Sequence, residues 1–305
     1  MLTYIARRLA VSVVTLLGVT IIAFGLVQML PGDPARTIAG LMASEEEVER
    51  VRTRLGLDEP LLLQYGQFLG RIVTGDLGES ARTRRPVTQE LGARLPKTIE
   101  LAAVGTIIGS VLGIIGGVIA ARFRNRPADH AISMGSLIGI SMPVYWLGLL
   151  LIMVFAVNLG WLPAAGADRR TSIILPGVTI GLFTIALVAR MTRASMLEVL
   201  EQDYVRTAFA KGVANRNVVY RHALRNAFIP VLTVIGIQFG SLLGGAVLTE
   251  FVFAWPGIGR LMVDSIFARD FPVVQGIILV FALMFIVVNL IVDILYSYVN
   301  PKIQY

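Results

Sequence analysis

Six apolar runs of membrane length, at residues 9–30, 99–121, 131–159, 173–189, 228–248 and 273–299, leave this chain few folds to choose from. A bilayer core about 30 Å thick is crossed by about 20 apolar helical residues. The expected class is therefore an all-α integral membrane protein with six transmembrane helices. At 55% hydrophobic and 15% charged residues, with a mean hydropathy of +0.74, the chain is too apolar for an ordinary soluble domain. The first run follows Arg7 and Arg8, is longer than a signal-peptide core, and ends in Leu30-Pro31-Gly32-Asp33-Pro34. It reads as a retained span.

The net charge of +7 comes without an aromatic-interleaved basic patch or nucleic-acid motif, so membrane topology explains it better than nucleic acid does. Cytoplasmic loops are enriched in arginine and lysine. With the N-terminus inside, the inner segments hold Arg7, Arg8, Arg122, Arg124, Arg126, Arg190, Arg193, Arg206, Lys211, Arg216, Arg221, Arg225 and Lys302. The short outer loops then hold only Arg169, Arg170, Arg260 and Arg269. Both termini are expected inside, and residues 190–227 in the cytoplasm.

The second run carries Gly105, Gly109, Gly113 and Gly117, and the fifth Gly236, Gly240 and Gly244. Glycines four apart leave a groove in which another helix backbone approaches closely. In the third run Pro143 has no N–H for the carbonyl of Gly139, which predicts a kink flanked by Met142, Tyr145 and Trp146. These side chains either pack and face lipid or touch a substrate. Trp161, in the WLPAAG turn that follows, suits an interfacial anchor.

Residues 31–98 form a polar insertion with interleaved acids and bases, expected to fold as a helical cap. Ser44 and Glu47 form a capping-box pattern that opens a helix ending near Leu55, and Pro60 can start a second. A third short helix is expected over 87–95. After the fifth run, Pro256–Gly257 suits a type II turn, followed by a short amphipathic helix through Ile258, Leu261, Met262 and Ile266.

Residues 201–230, EQDYVRTAFAKGVANRNVVYRHALRNAFIP, form a basic, helix-patterned segment between two spans. Val205, Ala208 and Phe209 recur at helical spacing, and Asp203, Thr207 and Lys211 form a polar stripe. A break at 212–217 precedes a second helical stretch with Val218, Val219 and His222 on one face, and Pro230 opens the next run. Such a helix pair has too little apolar surface to stand alone and must dock onto the membrane or another protein.

This stretch resembles the coupling loop of binding-protein-dependent ABC importer permeases, usually written E-A-A-x3-G-x9-I-x-L-P. Gly212 takes the glycine position, Ala208 the second alanine and Leu224 the leucine. Arg206, Thr207 and His222 replace the glutamate, first alanine and isoleucine, and the proline comes late, at Pro230. Those departures are similar to the dipeptide/oligopeptide branch, as are PGIGRL at 256–261 and the long insertion after the first span.

The resemblance implies a type I importer permease (MetI-like) fold and ATPase coupling through Asp203, Tyr204, Arg206, Thr207, Ala208, Phe209, Ala210, Lys211, Gly212, His222, Leu224 and Asn226. It implies a homologous second permease subunit, two ABC ATPase subunits carrying ATP and Mg, an extracytoplasmic solute-binding protein, and no cofactor on this chain. The bacterial cytoplasmic membrane is the implied location and peptide import by alternating access the implied function, with glutathione or a nickel complex as other solutes. A translocation pathway is sought at Met142, Pro143, Tyr145, Trp146, Gln238 and Asn289; for the last two, interhelical hydrogen bonding is the default and pathway lining the alternative.

No G-x-x-x-x-G-K-[ST], G-x-S-x-G or H-E-x-x-H motif occurs, and there is no cysteine. The chain is not expected to be catalytic or to hold a metal. Only Glu100, Glu250 and Asp293 put charges in or at the ends of spans. The two glutamates are expected at solvated outer boundaries; Asp293 suits either pairing with an inner-side arginine or partner helix, or a transport role. A secondary transporter would need buried carboxylates or repeats of broken helices. The sequence displays neither.

Overall fold

The computed structural model describes residues 2–28, 34–40, 43–214 and 217–299. The expectations on residues 30–33, Arg216 and Lys302, and on the side chains of Arg221, His222 and Asp293, lie outside the described residues. The first helices are α1 (Leu2–Gln28), α2 (Pro34–Ala39), α3 (Glu45–Leu55), α4 (Leu61–Val73) and α5 (Val87–Arg122). Next come α6 (Pro127–Ser141), α7 (Val144–Leu151), α8 (Ile174–Leu200) and α9 (Asp203–Ala210). The chain continues with α10 (Leu224–Gly245), α11 (Val247–Val252), α12 (Ile258–Phe267) and α13 (Phe271–Val299). Single π-helical turns, Ile152–Asn158 and Val218–Ala223, extend α7 and lead into α10. The helices divide into two compact units, Met1–Thr98 with Pro256–Ile286, and Ile99–Trp255 with Val287–Gln304.

In the first unit, Ser44 caps α3 as expected, its Oγ accepting from the Glu47 N–H while the Glu47 carboxylate accepts from the Ser44 N–H. The Ser44 N–H, with the Ser44 hydroxyl beside it, holds the Glu47 carboxyl below its ordinary range. Gly56 ends the helix in the left-handed conformation. The turn after α4 is pinned to the start of α13 by Asp270, whose carboxylate accepts from Ser80 Oγ and from the Ala81 N–H at 3.0 Å. Val87 and Leu91 of α5 pack with Ile258, Val273 and Ile277. Thr98 Oγ1 accepts from the Ile258 N–H at 2.8 Å, occupying a donor that the first turn of α12 would leave free.

Two expectations fail here. Residues 87–95 are not a separate helix but the opening turns of α5, which continues through Pro96. The ring sits opposite the carbonyl of Gly92, an exposed residue with no atom near its Cβ position, so there is room for the lost hydrogen bond to be tolerated. Nor is Pro256–Gly257 a type II turn. Gly257 is extended (φ −96°, ψ −178°), and the left-handed residue is Ala254, at φ 48°.

The second unit is built on α8, whose inner face from Leu175 to Met196 is buried. The four glycines of α5 meet it in order. A Cβ at Gly105, Gly109, Gly113 or Gly117 would fall 2.4–2.7 Å from side-chain atoms of Ile180, Thr184, Val188 and Thr192, respectively. Both sets step by four residues in the same direction, so α5 and α8 run parallel with their backbones in close approach. Of the other glycine set, Gly236 meets Val292 of α13, and Gly244 has open space.

Parallel neighbours require the chain between them to return across the layer, and α6 does so. Asp129 near its start bonds Arg193. Gly139 near its end lies against Leu182 and Ala186, and Val144 then joins the cluster holding Leu101, Ile173 and Ile180. From Arg193 back to Ile173 is about 30 Å of helix, one bilayer core. Among the described residues, five helices are long and apolar enough to cross a membrane, and the bent pair α6–α7, counted as one broken span, makes six. The kink expected at Pro143 is larger than a kink: the pair bends by 105°. Met142 and Pro143 are both extended (ψ 132° and 130°), because a residue before proline is pushed out of the helical region and proline cannot continue the ladder.

Two further expectations are corrected in this unit. Glu250 does not sit at a solvated boundary; it is fully buried on α11, where the backbone carbonyl accepts from the Trp255 N–H at 2.8 Å. Pro230 does not open its helix but lies inside α10. The stretch before it is π-helical, with Val218, Val219 and Ala223 buried.

Candidate functional site: a braced helical hairpin

At the Arg122 end of α5, helix α8 runs beyond the apolar run and hands over to α9 through Glu201 and Gln202. Gln202 is extended at the N-cap, and α9 is only two turns long. Lys211 ends it, and Gly212 takes φ +76°, the left-handed conformation that reverses the chain toward the π turn and α10. The Gly212 N–H donates to the Phe209 carbonyl at 2.9 Å and the Val213 N–H to that of Ala208 at 3.2 Å, closing the turn. The glycine required by this turn was legible in the sequence.

The inner face of the hairpin is fixed. Val205 is fully buried, and Val219, Ala223 and Ala227 form one cluster with Val118 and Ala121 of α5 and Met196 of α8, against which Leu224 packs. Asn226 Nδ2 donates to Tyr204 Oη at 2.7 Å, tying α9 to α10. The outer face is open: Asp203, Arg206, Thr207, Ala210, Lys211 and Gly212 are exposed, and Tyr204 and Phe209 expose 43% and 46% of their surfaces. Ala208 is half-buried between the two faces. Arg206 and Asp203 stand 3.7 Å apart at the surface, a pair that contributes little. Two aromatic rings and three small or apolar neighbours on a short helix, held rigidly from behind, make a surface suited to insertion into a partner's groove.

The sequence reading missed the brace behind this hairpin. Arg193 of α8 makes a two-pronged pair with Asp129 of α6, Nε to Oδ1 at 2.6 Å and Nη2 to Oδ2 at 2.7 Å. Asp129 is nearly fully buried and also accepts from the Asn125 N–H at 2.9 Å. Arg124 bonds Glu201 at 2.8 Å, tying the α5–α6 turn to the first residue after α8. Arg124 and Arg193 had been read only as topology charges. The available signal was Asp129 itself, a lone acid in the first turn of a helix after three arginines. Asp129→Asn leaves a partly buried arginine without its counter-charge. It is expected to destabilise the protein by about 2 kcal/mol, below the roughly 3–5 kcal/mol of a fully buried pair, because Arg193 stays partly exposed. Thermal unfolding in detergent would record the loss, and the charge-exchanged double variant Asp129→Arg/Arg193→Asp should recover part of it.

The other candidate residues do not converge. Met142, Pro143, Tyr145 and Trp146 line one open apolar hollow of about 590 Å³ at the α6–α7 bend. Gln238 is buried on α10 and Asn289 is half-buried on α13, and neither lines that hollow. A second hollow of about 370 Å³, between α5, α10 and α13, is lined by residues that include Phe239, Gly236 and Val292, and is almost wholly apolar. Among the described residues no three metal-ligating side chains come together.

Comparison with known proteins gives one consistent result. The profile of a family described as binding-protein-dependent transport system inner membrane component matches residues 113–305, and that of its N-terminal region matches residues 1–102. The glutathione transport system permease protein GsiC of Escherichia coli O6:H1 is 49% identical over 305 residues, covering 100% of both chains. The dipeptide transport system permease protein DppB of Alkalihalophilus pseudofirmus is 44% identical over 333 aligned residues, again covering 100% of both. A chain of the inward-facing MetNI methionine ABC transporter matches with a TM-score of 0.60 at 19% identity, over 70% of this chain and 97% of that one. An amino acid ABC transporter solved with histidines gives 0.56 at 16% identity, over 69% and 94%. At these identities the two structures speak to the fold alone.

Proposed function

The chain belongs to the family of binding-protein-dependent transport system inner membrane components, and on that premise we propose that it passes short peptides across the membrane by alternating access, driven through the α9 hairpin. It is an all-α, multi-pass permease component of an ABC importer and is not itself a catalyst. In the proposed assembly it pairs with a homologous permease, two ATPase subunits that bind ATP and Mg, and an extracytoplasmic solute-binding protein. Closure of the ATPases would push α9 as a rigid lever. Because α9 contacts α8 and the π turn before α10 and bonds Asn226 of α10, and ion pairs and one buried cluster join the ends of α5, α6, α8 and α10, the push would reorient those spans together. The observation that carries this reading is the hairpin's division into a buried, braced inner face and an aromatic outer face.

A short peptide is the favoured solute because the relatives' names specify a dipeptide in one case and glutathione, itself a tripeptide, in the other. Glutathione is the second reading, favoured by the 49% relative. Uptake by the reconstituted importer across a panel of dipeptides, longer peptides, glutathione and metal chelates tests both. Uptake of the chelates alone would overturn the peptide reading.

The arginine and lysine distribution supports both termini inside, and an even number of crossings agrees with it. In this cysteine-free chain, Glu59→Cys is expected to react with an impermeant maleimide in intact cells, and Gln202→Cys only after permeabilisation. The opposite pattern would place the hairpin on the side where no ATPase reaches it.

A further inference from the structure

Helix α4, in the polar insertion, does not sit above the ends of the spans but beside them. Its Tyr65 ring meets Phe24 of α1 edge-on, with centroids 5.6 Å apart, and Tyr65 Oη shares a 2.8 Å hydrogen bond with Thr20 Oγ1. Phe68 packs on Phe24 at 5.7 Å and forms one buried cluster with Ala23 and Leu279. Thr20 is eight residues before Gln28, the last residue of α1, and Leu279 is eight residues after Phe271, the first of α13. At 1.5 Å per residue both contacts lie about 12 Å below the end of their helix. Two independent spans thus place α4 at the same depth.

The part of α4 that the spans leave uncovered is not polar. Leu62, Leu69 and Val73 follow one another at helical spacing, and Leu62 and Val73 expose 87% and 86% of their surfaces. Leu61 and Leu63 add 61% and 51% exposed surface at the same end. This stripe adjoins the Tyr65–Phe68–Ile72 face, so the helix is apolar over a wider sector than α1 and α13 cover. The neighbouring lateral surface of α1 is also open and apolar, with Ile21 and Ile22 at 58% and 62%.

The polar groups at this level are internally satisfied. Gln64, almost fully buried, donates to the carbonyls of Leu57 at 3.0 Å and Glu59 at 2.8 Å and accepts from Gln28 Nε2 at 3.0 Å. The bend before α4 therefore presents fewer unpaired carbonyls to an apolar layer, as backbone near hydrocarbon requires.

We propose that α4 is an interfacial helix whose Leu62–Leu69–Val73 stripe is covered by acyl chains of the bilayer, in the leaflet at the Gln28 end of α1. An interfacial helix buries its apolar face about 5–10 Å into the headgroup–acyl boundary, close to the depth set by Thr20 and Leu279. The insertion is then anchored sideways in the membrane, while α2 and α3 remain available to aqueous partners. The proposal needs the spans to cross a membrane but not the orientation, so it stands or falls separately from the coupling mechanism.

The test uses single cysteines, Leu62→Cys and Val73→Cys, labelled with an environment-sensitive fluorophore. The full importer is reconstituted in phosphatidylcholine vesicles with or without acyl-chain spin-labelled lipid, and iodide serves as the aqueous quencher. Ile22→Cys on α1 is the lipid-facing control and Glu46→Cys on α3 the aqueous one. The expected result is loss of emission from lipid quencher equal to that at Ile22→Cys, with iodide protection. Iodide quenching like that at Glu46→Cys would overturn the proposal, as would protection from both quenchers, which would mean a protein covers the stripe.

Discussion

Gly109→Ala is expected to lower the unfolding temperature of the solubilised protein sharply, whereas Gly116→Ala on the same helix leaves it unchanged. At Gly109 the added carbon would stand 2.4 Å from Thr184 Cβ and 3.0 Å from the Gly181 carbonyl oxygen. Real side chains do not tolerate the first distance, and α8 cannot shift locally, because Gly105, Gly113 and Gly117 hold it at equal closeness on either side. Overpacking a tight site by one carbon costs about 1–3 kcal/mol, and the rigid backbone partner puts Gly109 near the top of that range. At Gly116 the nearest atoms are 3.6 and 3.8 Å away, ordinary contact. Thr184→Gly removes the clashing carbons and should partly restore Gly109→Ala. A general intolerance of alanine in this helix would lower both single variants equally and contradict the parallel α5–α8 packing.

The glycine stripe was legible because a repeat of four in an apolar run has one steric meaning. Its partner was not, since Ile180, Thr184, Val188 and Thr192 are ordinary span residues, and only coordinates pair them with α5. Likewise Pro143 announces an interruption, but a single proline does not distinguish a kink from the 105° turn that the chain makes there. Proline misled at Pro230, read as opening a run yet inside α10, and the helix expected over 87–95 continues through Pro96. Gly257 misled in the opposite way: the conformation reserved for glycine falls on Ala254, held between the Glu250–Trp255 and Phe251–Ala254 backbone bonds. The hairpin was legible as a motif because Ala208, Gly212 and Leu224 keep their order. The brace through Asp129 and Arg193 depends on two residues 64 positions apart and was not.

The second large effect concerns the hairpin. Gly212→Val forces a β-branched residue to φ +76°, although no neighbouring atom lies within 4 Å of its Cβ position. The cost is therefore one of backbone strain, about 1–2 kcal/mol or more, and the turn is expected to relax by reorienting α9. Gly212→Asn should be tolerated, because asparagine visits the left-handed region readily. Ala208→Glu places a carboxylate at the edge of the apolar contact, which costs several kcal/mol at a buried interface unless a cation meets it. Arg206, exposed at 74% and weakly paired, serves as the neutral reference.

ATP hydrolysis and peptide uptake, measured together on the reconstituted importer carrying each of these variants, test the claim that α9 is the coupling element. The expected result is that Gly212→Val and Ala208→Glu lose uptake relative to hydrolysis while Gly212→Asn and Arg206→Ala keep the unmodified ratio. Unchanged coupling in both Gly212→Val and Ala208→Glu would contradict it.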